Sequence, residues 1–127
     1  MLLRKWCIVL RPTEWLSRAK SFLRAAERSL REGDLEIAAF ESHQAVELAL
    51  KAVHIHRYGT RPYTHNLVEL GRALGFHHRS LQLLTLMYTY ARYPEAPLDL
   101  DENMVGEFID AAREAIKFAE QELEKKP

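Results

Sequence analysis

Residues 35–58 read LEIAAFESHQAVELALKAVHIHRY, and this stretch decides the fold. Apolar or small side chains occur on most sides of the helix that it predicts, and Gly59 is expected to end that helix. A helix that is apolar nearly all round belongs in the middle of a bundle, and its many alanines let neighbouring helices approach closely. We therefore predict an all-α fold organised around this segment.

Four further segments predict helices, and no segment predicts a strand. The predicted helices cover residues 13–31, 35–58, 65–74, a segment that starts near 80, and a segment from 102 to about 123. The predicted N-caps are Thr13, Asp34, Thr64 and Asp101, and the predicted stop signals are Gly33, Gly59 and Gly75. The fold class is an all-helical bundle of four long helices and one short helix. We expect residues 1–12 to form an N-terminal arm and residues 13–125 to form a single domain.

Composition and charge exclude several classes of protein. The chain has 127 residues, enough for one domain, and its 18 Lys and Arg against 18 Asp and Glu give a formal net charge of zero. A nucleic-acid binder that works by bulk positive charge is therefore excluded. The single cysteine, Cys7, excludes an internal disulfide and a cysteine-built zinc site. No apolar run reaches the roughly 20 residues of a membrane span, and we expect a cytoplasmic protein.

The zero net charge hides an uneven distribution. Residues 1–31 carry 8 basic and 2 acidic side chains, whereas residues 95–127 carry 4 basic and 10 acidic side chains. The segments therefore sum to +6 and −6. One interpretation is that the first and last helices pack together and attract each other; the other is a basic face for an acidic partner. We favour the first, because exposed charge is usually solvated.

A line of polar residues interrupts the predicted central helix. His43, Glu47, Lys51 and His54 follow at steps of four, four and three, so they share one helix face. One interpretation is a solvated stripe, in which the Glu47–Lys51 ion pair contributes only about 0.3–0.5 kcal/mol. The alternative is a polar groove or the polar centre of a dimer interface. Spacing alone favours the solvated stripe.

A second candidate lies at the end of the fourth helix, where Tyr88, Tyr90, Arg92 and Tyr93 crowd together before Pro94. Arginine and aromatic rings bind phosphates and stack on bases. An arginine at a helix C-terminus also has a structural role, because it can neutralise free carbonyl groups. The sequence does not favour either interpretation.

Metal-ligand patterns are weak. His54 and His56 lie two apart and therefore point to different sides of a helix, and His77 with His78 is interpreted as a solvated pair near a helix start. We expect no metal and no other cofactor.

Three stretches resemble the HEPN domain family (higher eukaryotes and prokaryotes nucleotide-binding). Residues 38–52, AAFESHQAVELALKA, resemble its hallmark second helix. Gly59 with residues 62–67, PYTHNL, resembles the segment that follows, and residues 91–95, ARYPE, resemble the Arg-Tyr-Pro-Asp loop of the stand-alone prokaryotic and archaeal branch. Order, spacing and length fit over roughly residues 13–125.

The resemblance implies an up-down helical bundle that is usually a homodimer. Many family members lie beside a minimal nucleotidyltransferase, in pairs that resemble toxin–antitoxin systems. Some members are metal-independent ribonucleases with an arginine, a few residues and then a histidine near the start of the last helix. Arg92 matches that arginine, but residues 96–99 hold no histidine. A literal match of Arg72 with His77 or His78 lies elsewhere in the chain and is interpreted as coincidence.

Three hypotheses follow. The first is a non-catalytic homodimer that binds a nucleotide or RNA, or a minimal nucleotidyltransferase partner. The second is a metal-independent ribonuclease that pairs Arg92 with a non-standard acid or base such as His43 or Tyr90. The third is a structural, antitoxin-like dimerisation module. The predicted nucleotide- or RNA-binding residues are Arg92, Tyr93, Lys51, Glu47, Tyr90 and His65.

Overall fold

The computed structural model describes residues 9–91, 93–94 and 99–127, and these form five α-helices without a strand. The helices are α1 (Pro12–Arg31), α2 (Leu35–Tyr58), α3 (Leu67–Leu74), α4 (Leu81–Tyr90) and α5 (Glu102–Leu123). The predicted all-α bundle is confirmed. With 10 residues, α4 is shorter than α1, α2 and α5, which have 20, 24 and 22. Within the described part of the chain, no helix is both long and apolar enough to cross a membrane.

The central position of α2 is confirmed, because α2 packs against each of the four other helices. Its alanines lie at the contacts between helices, where a small side chain permits close packing. Five of them are completely buried: Ala38, Ala39, Ala45, Ala49 and Ala52. The largest fully buried side chain of the core, Phe108, comes from α5.

The first and last helices do pack together. Lys20 Nζ lies 2.9 Å from Glu120 Oε2, which is the basic-to-acidic direction that the charge distribution predicts. A second pair runs the opposite way, with Arg113 Nη2 of α5 2.7 Å from Glu27 Oε2 of α1. Attraction between the two helices therefore rests on individual pairs rather than on the segment totals.

Helix boundaries agree with the sequence at the glycines and at the start of α5, but differ at the start of α1. Gly59 ends α2 at φ 75° and Gly75 ends α3 at φ 86°, a conformation that glycine adopts without steric cost. Thr13 is not the cap of α1, because Pro12 is already the first helical residue and Arg11 precedes it. Asp101 caps α5 as predicted, accepting a hydrogen bond from the Met104 amide at 2.8 Å.

The predicted cap of α3 is wrong by two residues. Asn66, not Thr64, is the N-cap, and its Oδ1 accepts hydrogen bonds from the amides of Val68 and Glu69 at 3.0 and 3.1 Å. Thr64 lies in the preceding loop, where its Oγ1 accepts a hydrogen bond from the Asn66 amide at 3.0 Å. His65 is therefore a loop residue and not the first residue of α3. Asp34 precedes α2 as predicted, but its side chain makes no capping hydrogen bond.

Candidate functional site

The polar line of α2 is buried. Residue exposure is 0% for His43, 5% for Glu47 and 2% for Lys51, and only His54 is partly exposed. The interpretation as a solvated stripe is therefore wrong for these three residues. The loop before α3 and one face of α4 cover the line, and they contribute His65 and Tyr88. We call these five residues, His43, Glu47, Lys51, His65 and Tyr88, the Glu47 cluster.

The carboxylate of Glu47 is the centre of the cluster. Its Oε2 accepts a hydrogen bond from Lys51 Nζ at 2.9 Å, one helical turn further along α2. Its Oε1 accepts a hydrogen bond from His65 Nδ1–H, also at 2.9 Å. Each oxygen thus has its own donor, and Lys51 neutralises a charge that would otherwise be costly to bury.

The loop that carries His65 is fixed on both sides. The His65 carbonyl accepts a hydrogen bond from His43 Nε2–H at 3.0 Å, which ties the loop backbone to α2. The amide of Leu67 donates to Thr85 Oγ1 at 3.1 Å, which ties the start of α3 to α4. These bonds hold the imidazole of His65 in place from the backbone as well as from the side chain.

The ring of His65 lies at the surface between a buried anion and an aromatic face. Tyr88 stacks on it with ring centroids 4.1 Å apart and an interplanar angle of 15°. The His65 side chain is 46% exposed. Because Nδ1–H is engaged by Glu47, the nitrogen left for a ligand is Nε2, which has no hydrogen-bond partner among the residues that the structure describes.

His43 has a different role. Burial lowers the pKa of its imidazole, because a charged ring loses its hydration there; the Glu47 carboxylate opposes this effect. The ring is therefore neutral at pH 7 and donates its Nε2 proton to the His65 carbonyl. A completely buried side chain does not contact a ligand in this conformation, so His43 positions the loop and is not placed to act as an acid or base on RNA.

The tyrosines beyond α4 lie in other surroundings. Tyr90 is 45% exposed and lines a cleft of about 380 Å³ together with Leu83, Leu86 and Met104. Tyr93 is also about half exposed. Arg92 lies outside the described residues, so the structure does not place it relative to His65.

Comparison with known proteins identifies the family. Residues 13–123 match the family model of the HEPN domain. The chain belongs to the HEPN domain family. The crystal structure of TT1696 from Thermus thermophilus is similar to this HEPN domain with a TM-score of 0.75 and 29% sequence identity, covering 89% of this chain and 98% of that one. ST0689, described as an archaeal HEPN homologue, has a TM-score of 0.70 at 21% identity over 90% of this chain and 98% of its own. No curated protein matched the sequence.

The HEPN domain contains a second histidine–carboxylate cluster, at the start of α4. His78 Nε2 lies 3.1 Å from Asp110 Oδ2 and 3.4 Å from Glu114 Oε2, one turn apart on α5. The interpretation of His78 as solvated is wrong, because only 6% of its side chain is exposed, whereas His77 is exposed as expected. We call His78, Asp110 and Glu114 the His78 cluster.

The three ligand atoms of the His78 cluster lie within 4.8 Å of one another, a spacing that could hold a metal ion. The amide of Ser80, however, donates a hydrogen bond to His78 Nδ1 at 3.0 Å. That bond makes Nδ1 the acceptor of the neutral ring, which places the proton on Nε2. Nε2 is the atom that a cation would need, so the geometry fits a tie between the loop and α5 better than a metal site.

Tyr88 is the functional candidate that sequence reasoning missed as a site residue. It was part of the tyrosine cluster, but its contact with His65 joins residues that lie 23 positions apart. No local spacing reports such a contact. The only usable signal is that Tyr88 and Tyr90 cannot both face the core of one helix.

Proposed function

We propose that this HEPN protein is a non-catalytic homodimer that binds RNA or a nucleotide at the surface around His65. One observation supports this proposal above the others: a half-exposed imidazole is held by a buried carboxylate and stacked on Tyr88, with Nε2 available. Its Nε2 can accept a hydrogen bond from a ribose hydroxyl, and a protonated ring can donate one to a phosphate oxygen. Because the chain has no net charge, binding must depend on local contacts of this kind.

The remaining predicted site residues take two kinds of role in this proposal. Glu47 and Lys51 lie beneath the surface and act by fixing His65 rather than by contacting the ligand. Tyr93 is about half exposed and is proposed to stack on a base, and Arg92 is proposed to supply a guanidinium group to a phosphate. Tyr90 is assigned instead to the self-association surface described below. The proposal that the protein is non-catalytic rests on the sequence, since no histidine follows Arg92 at residues 96–99.

Binding of a labelled single-stranded RNA and of ATP, measured by fluorescence anisotropy and by titration, tests the proposal. We expect His65→Ala to weaken binding about tenfold, the equivalent of 1.4 kcal/mol. His77→Ala is the matched control, because His77 is exposed but has no part in the Glu47 cluster. Absence of saturable binding by the unmodified protein, or equal loss in both variants, would contradict the proposal.

A ribonuclease is the second candidate, and the 2.9 Å contact between Glu47 and His65 favours it. A carboxylate that accepts from Nδ1–H leaves Nε2 able to take the proton of a ribose 2′-hydroxyl. The 2′-oxygen would then attack the adjacent phosphorus, and the 5′-oxygen would leave with a proton from water. Cleavage of RNA in the presence of EDTA that is lost in His65→Ala and kept in His77→Ala would establish this candidate over the non-catalytic one.

Self-association is the remaining part of the proposal, and HEPN domains are commonly dimeric. Leu83, Leu86 and Tyr90 follow one face of α4 and are 39%, 48% and 45% exposed. We propose that a second copy of the chain covers this apolar strip in the dimer. Sedimentation of Leu86→Glu should give a monomer, whereas Gln121→Glu, at an exposed position on α5, should leave the dimer intact.

A nucleotidyltransferase is the proposed protein partner, and it would bind the assembled dimer. Co-expression with a minimal nucleotidyltransferase from the same genome, followed by co-purification, tests this part. Retention of the partner by the dimer and its loss on Leu86→Glu would place the partner site across both copies.

A further inference from the structure

We infer that Trp15, Arg61 and Tyr63 form a stacking site for the bases of single-stranded RNA, next to His65. We call these three residues the Arg61 ledge. This inference rests on the proposed RNA binding and extends it, because it names the class of RNA and a second contact surface. The ledge lies where the loop between α2 and α3 passes over α1.

The geometry of the ledge is a cation between two aromatic rings. The Arg61 Cζ atom lies 4.9 Å from the centroid of the Trp15 ring and 4.8 Å from the centroid of the Tyr63 ring. Both distances are within the range of a cation–π interaction. Trp15 is partly buried, whereas Tyr63 is 81% exposed, the highest value among the large apolar side chains that the structure describes as exposed.

A structural role alone accounts for only part of this arrangement. Contact between Arg61 and Trp15 is enough to fasten the loop to α1. Tyr63 adds little burial to that contact, because the residue is 81% exposed. An exposed ring beside a guanidinium group is the combination on which nucleic-acid bases stack, since every base has a π face.

The charge around the ledge favours a polyanion. Arg18 and Arg61 make no ion pair with any residue in the described ranges, so their charges are not neutralised locally. The nearby carboxylate of Glu14 is already engaged, with Arg11 Nη1 3.3 Å from its Oε1. Of the charged side chains named here, the guanidinium groups of Arg18 and Arg61 therefore remain without a carboxylate partner among the described residues.

A shallow pocket extends the ledge along α1. It has a volume of about 240 Å³ and is lined by Glu14, Trp15, Arg18 and Leu48. That volume is below the roughly 300–1,000 Å³ of sites that enclose a whole small-molecule ligand. The pocket suits one ring system of a longer ligand, such as a single base of a strand.

The ledge is continuous with the site around His65. Tyr63 and His65 are separated by one residue, so their Cα atoms are at most about 7.6 Å apart. Stacked nucleotides of one strand rise about 3.4 Å each, so this separation corresponds to about two nucleotides. A single strand that stacks on Tyr63 therefore lies within about two nucleotides of His65, whereas a duplex offers no unstacked bases to the ledge.

Binding of a short labelled oligoadenylate and of the same sequence as a duplex, measured by fluorescence anisotropy, tests the inference. We expect Tyr63→Ala to weaken single-strand binding about tenfold, and Tyr63→Phe to keep it. Tyr58→Ala is the matched control, because Tyr58 is also exposed but lies at the end of α2 against His54. We expect Arg18→Ala to reduce the slope of binding against salt by about 0.7.

The outcomes separate this inference from the function on which it rests. If Tyr63→Ala and Tyr58→Ala both bind like the unmodified protein while His65→Ala is weaker, the ledge is overturned and the proposed function survives. If the unmodified protein binds no RNA, the ledge is overturned, and the proposed function is overturned with it when ATP does not bind either. In a Trp6→Phe background, quenching of Trp15 fluorescence by the single strand supports the ledge directly, and saturable binding without quenching contradicts it.

Discussion

The Glu47 cluster and the His78 cluster each contain a contact between a histidine and a carboxylate. They differ in which of the two groups is exposed to solvent. In the Glu47 cluster the carboxylate is buried and the histidine His65 is 46% exposed. In the His78 cluster the histidine is 6% exposed and both carboxylates are 53% exposed. The same pair of chemical groups thus presents an imidazole to solvent at one place and two carboxylates at the other.

The two histidines also differ in how many of their ring nitrogens make hydrogen bonds. His65 donates its Nδ1 proton to Glu47, and its Nε2 has no hydrogen-bond partner among the described residues. His78 uses both nitrogens, because Nδ1 accepts from the Ser80 amide and Nε2–H donates to Asp110. That donation holds the pKa of Asp110 below its usual range. A histidine–carboxylate contact therefore indicates a binding site only where a ring nitrogen remains accessible.

The largest expected effect comes from the buried carboxylate. Glu47→Gln leaves the Lys51 ammonium buried without a counter-charge, and we expect a loss of about 3 kcal/mol or more in the free energy of unfolding. Asp110→Asn, at the solvated carboxylate of the other cluster, should cost less than about 1 kcal/mol. Urea unfolding of both variants measures the contrast.

A double variant checks the cause of that loss. Glu47→Gln combined with Lys51→Met removes both charges, and it should be less destabilised than the sum of the single variants. Equal costs for Glu47→Gln and Asp110→Asn would show that burial does not distinguish the two clusters.

The next effect separates stability from binding. We expect His65→Ala and His78→Ala each to lower the free energy of unfolding by about 1–3 kcal/mol, because each leaves a polar partner without its hydrogen bond. Only His65→Ala should weaken RNA binding. Thermal unfolding and anisotropy on the same protein preparations test this, and weaker RNA binding by His78→Ala would remove the functional contrast between the clusters.

A smaller effect concerns pH and the buried member of the Glu47 cluster. The pKa of His43 is lowered in the folded protein, so below pH 6.5 the unfolded chain binds a proton that the native ring does not. The contribution of His43 to the free energy of unfolding is fully present above pH 6.5. It is lost as the pH falls from 6.5 to the lowered pKa of the native ring. Unfolding by urea between about pH 7.5 and 5.5, a range chosen above the ordinary pKa of the carboxylates, should show a weaker pH dependence for His43→Gln. His77→Gln should keep the dependence of the unmodified protein.

The sequence predicted the fold well because the distribution of apolar and small residues around α2 indicated its central place. A 24-residue helix that is apolar or small on most sides and has many alanines has few positions in a bundle other than the centre. The polar line within it was misjudged because spacing tells which residues share a face, but not what covers that face. The covering groups, His65 and Tyr88, lie 18 and 41 residues beyond Glu47 in the sequence.

The caps show a similar limit at shorter range. Thr64 and Asn66 both have side chains that can cap a helix, and the sequence does not state which one does so. The choice decides whether His65 belongs to a helix or to a loop. Its position in the loop is what allows Nδ1–H to reach Glu47, so an error of two residues at a cap hid the central contact of the site.

The last prediction is that metal ions have no effect on the melting temperature through the His78 cluster. Zinc bound at Nε2 would require the proton to move to Nδ1, where it would oppose the amide proton of Ser80. We therefore expect no change in the melting temperature when Zn²⁺ is added in excess over protein. A zinc site with free Zn²⁺ at 100 times its Kd would instead add about 2.7 kcal/mol to the free energy of unfolding. Such a rise, if saturable and absent in His78→Ala, would show that Ser80 gives up its hydrogen bond and that both clusters keep a ring nitrogen for a ligand.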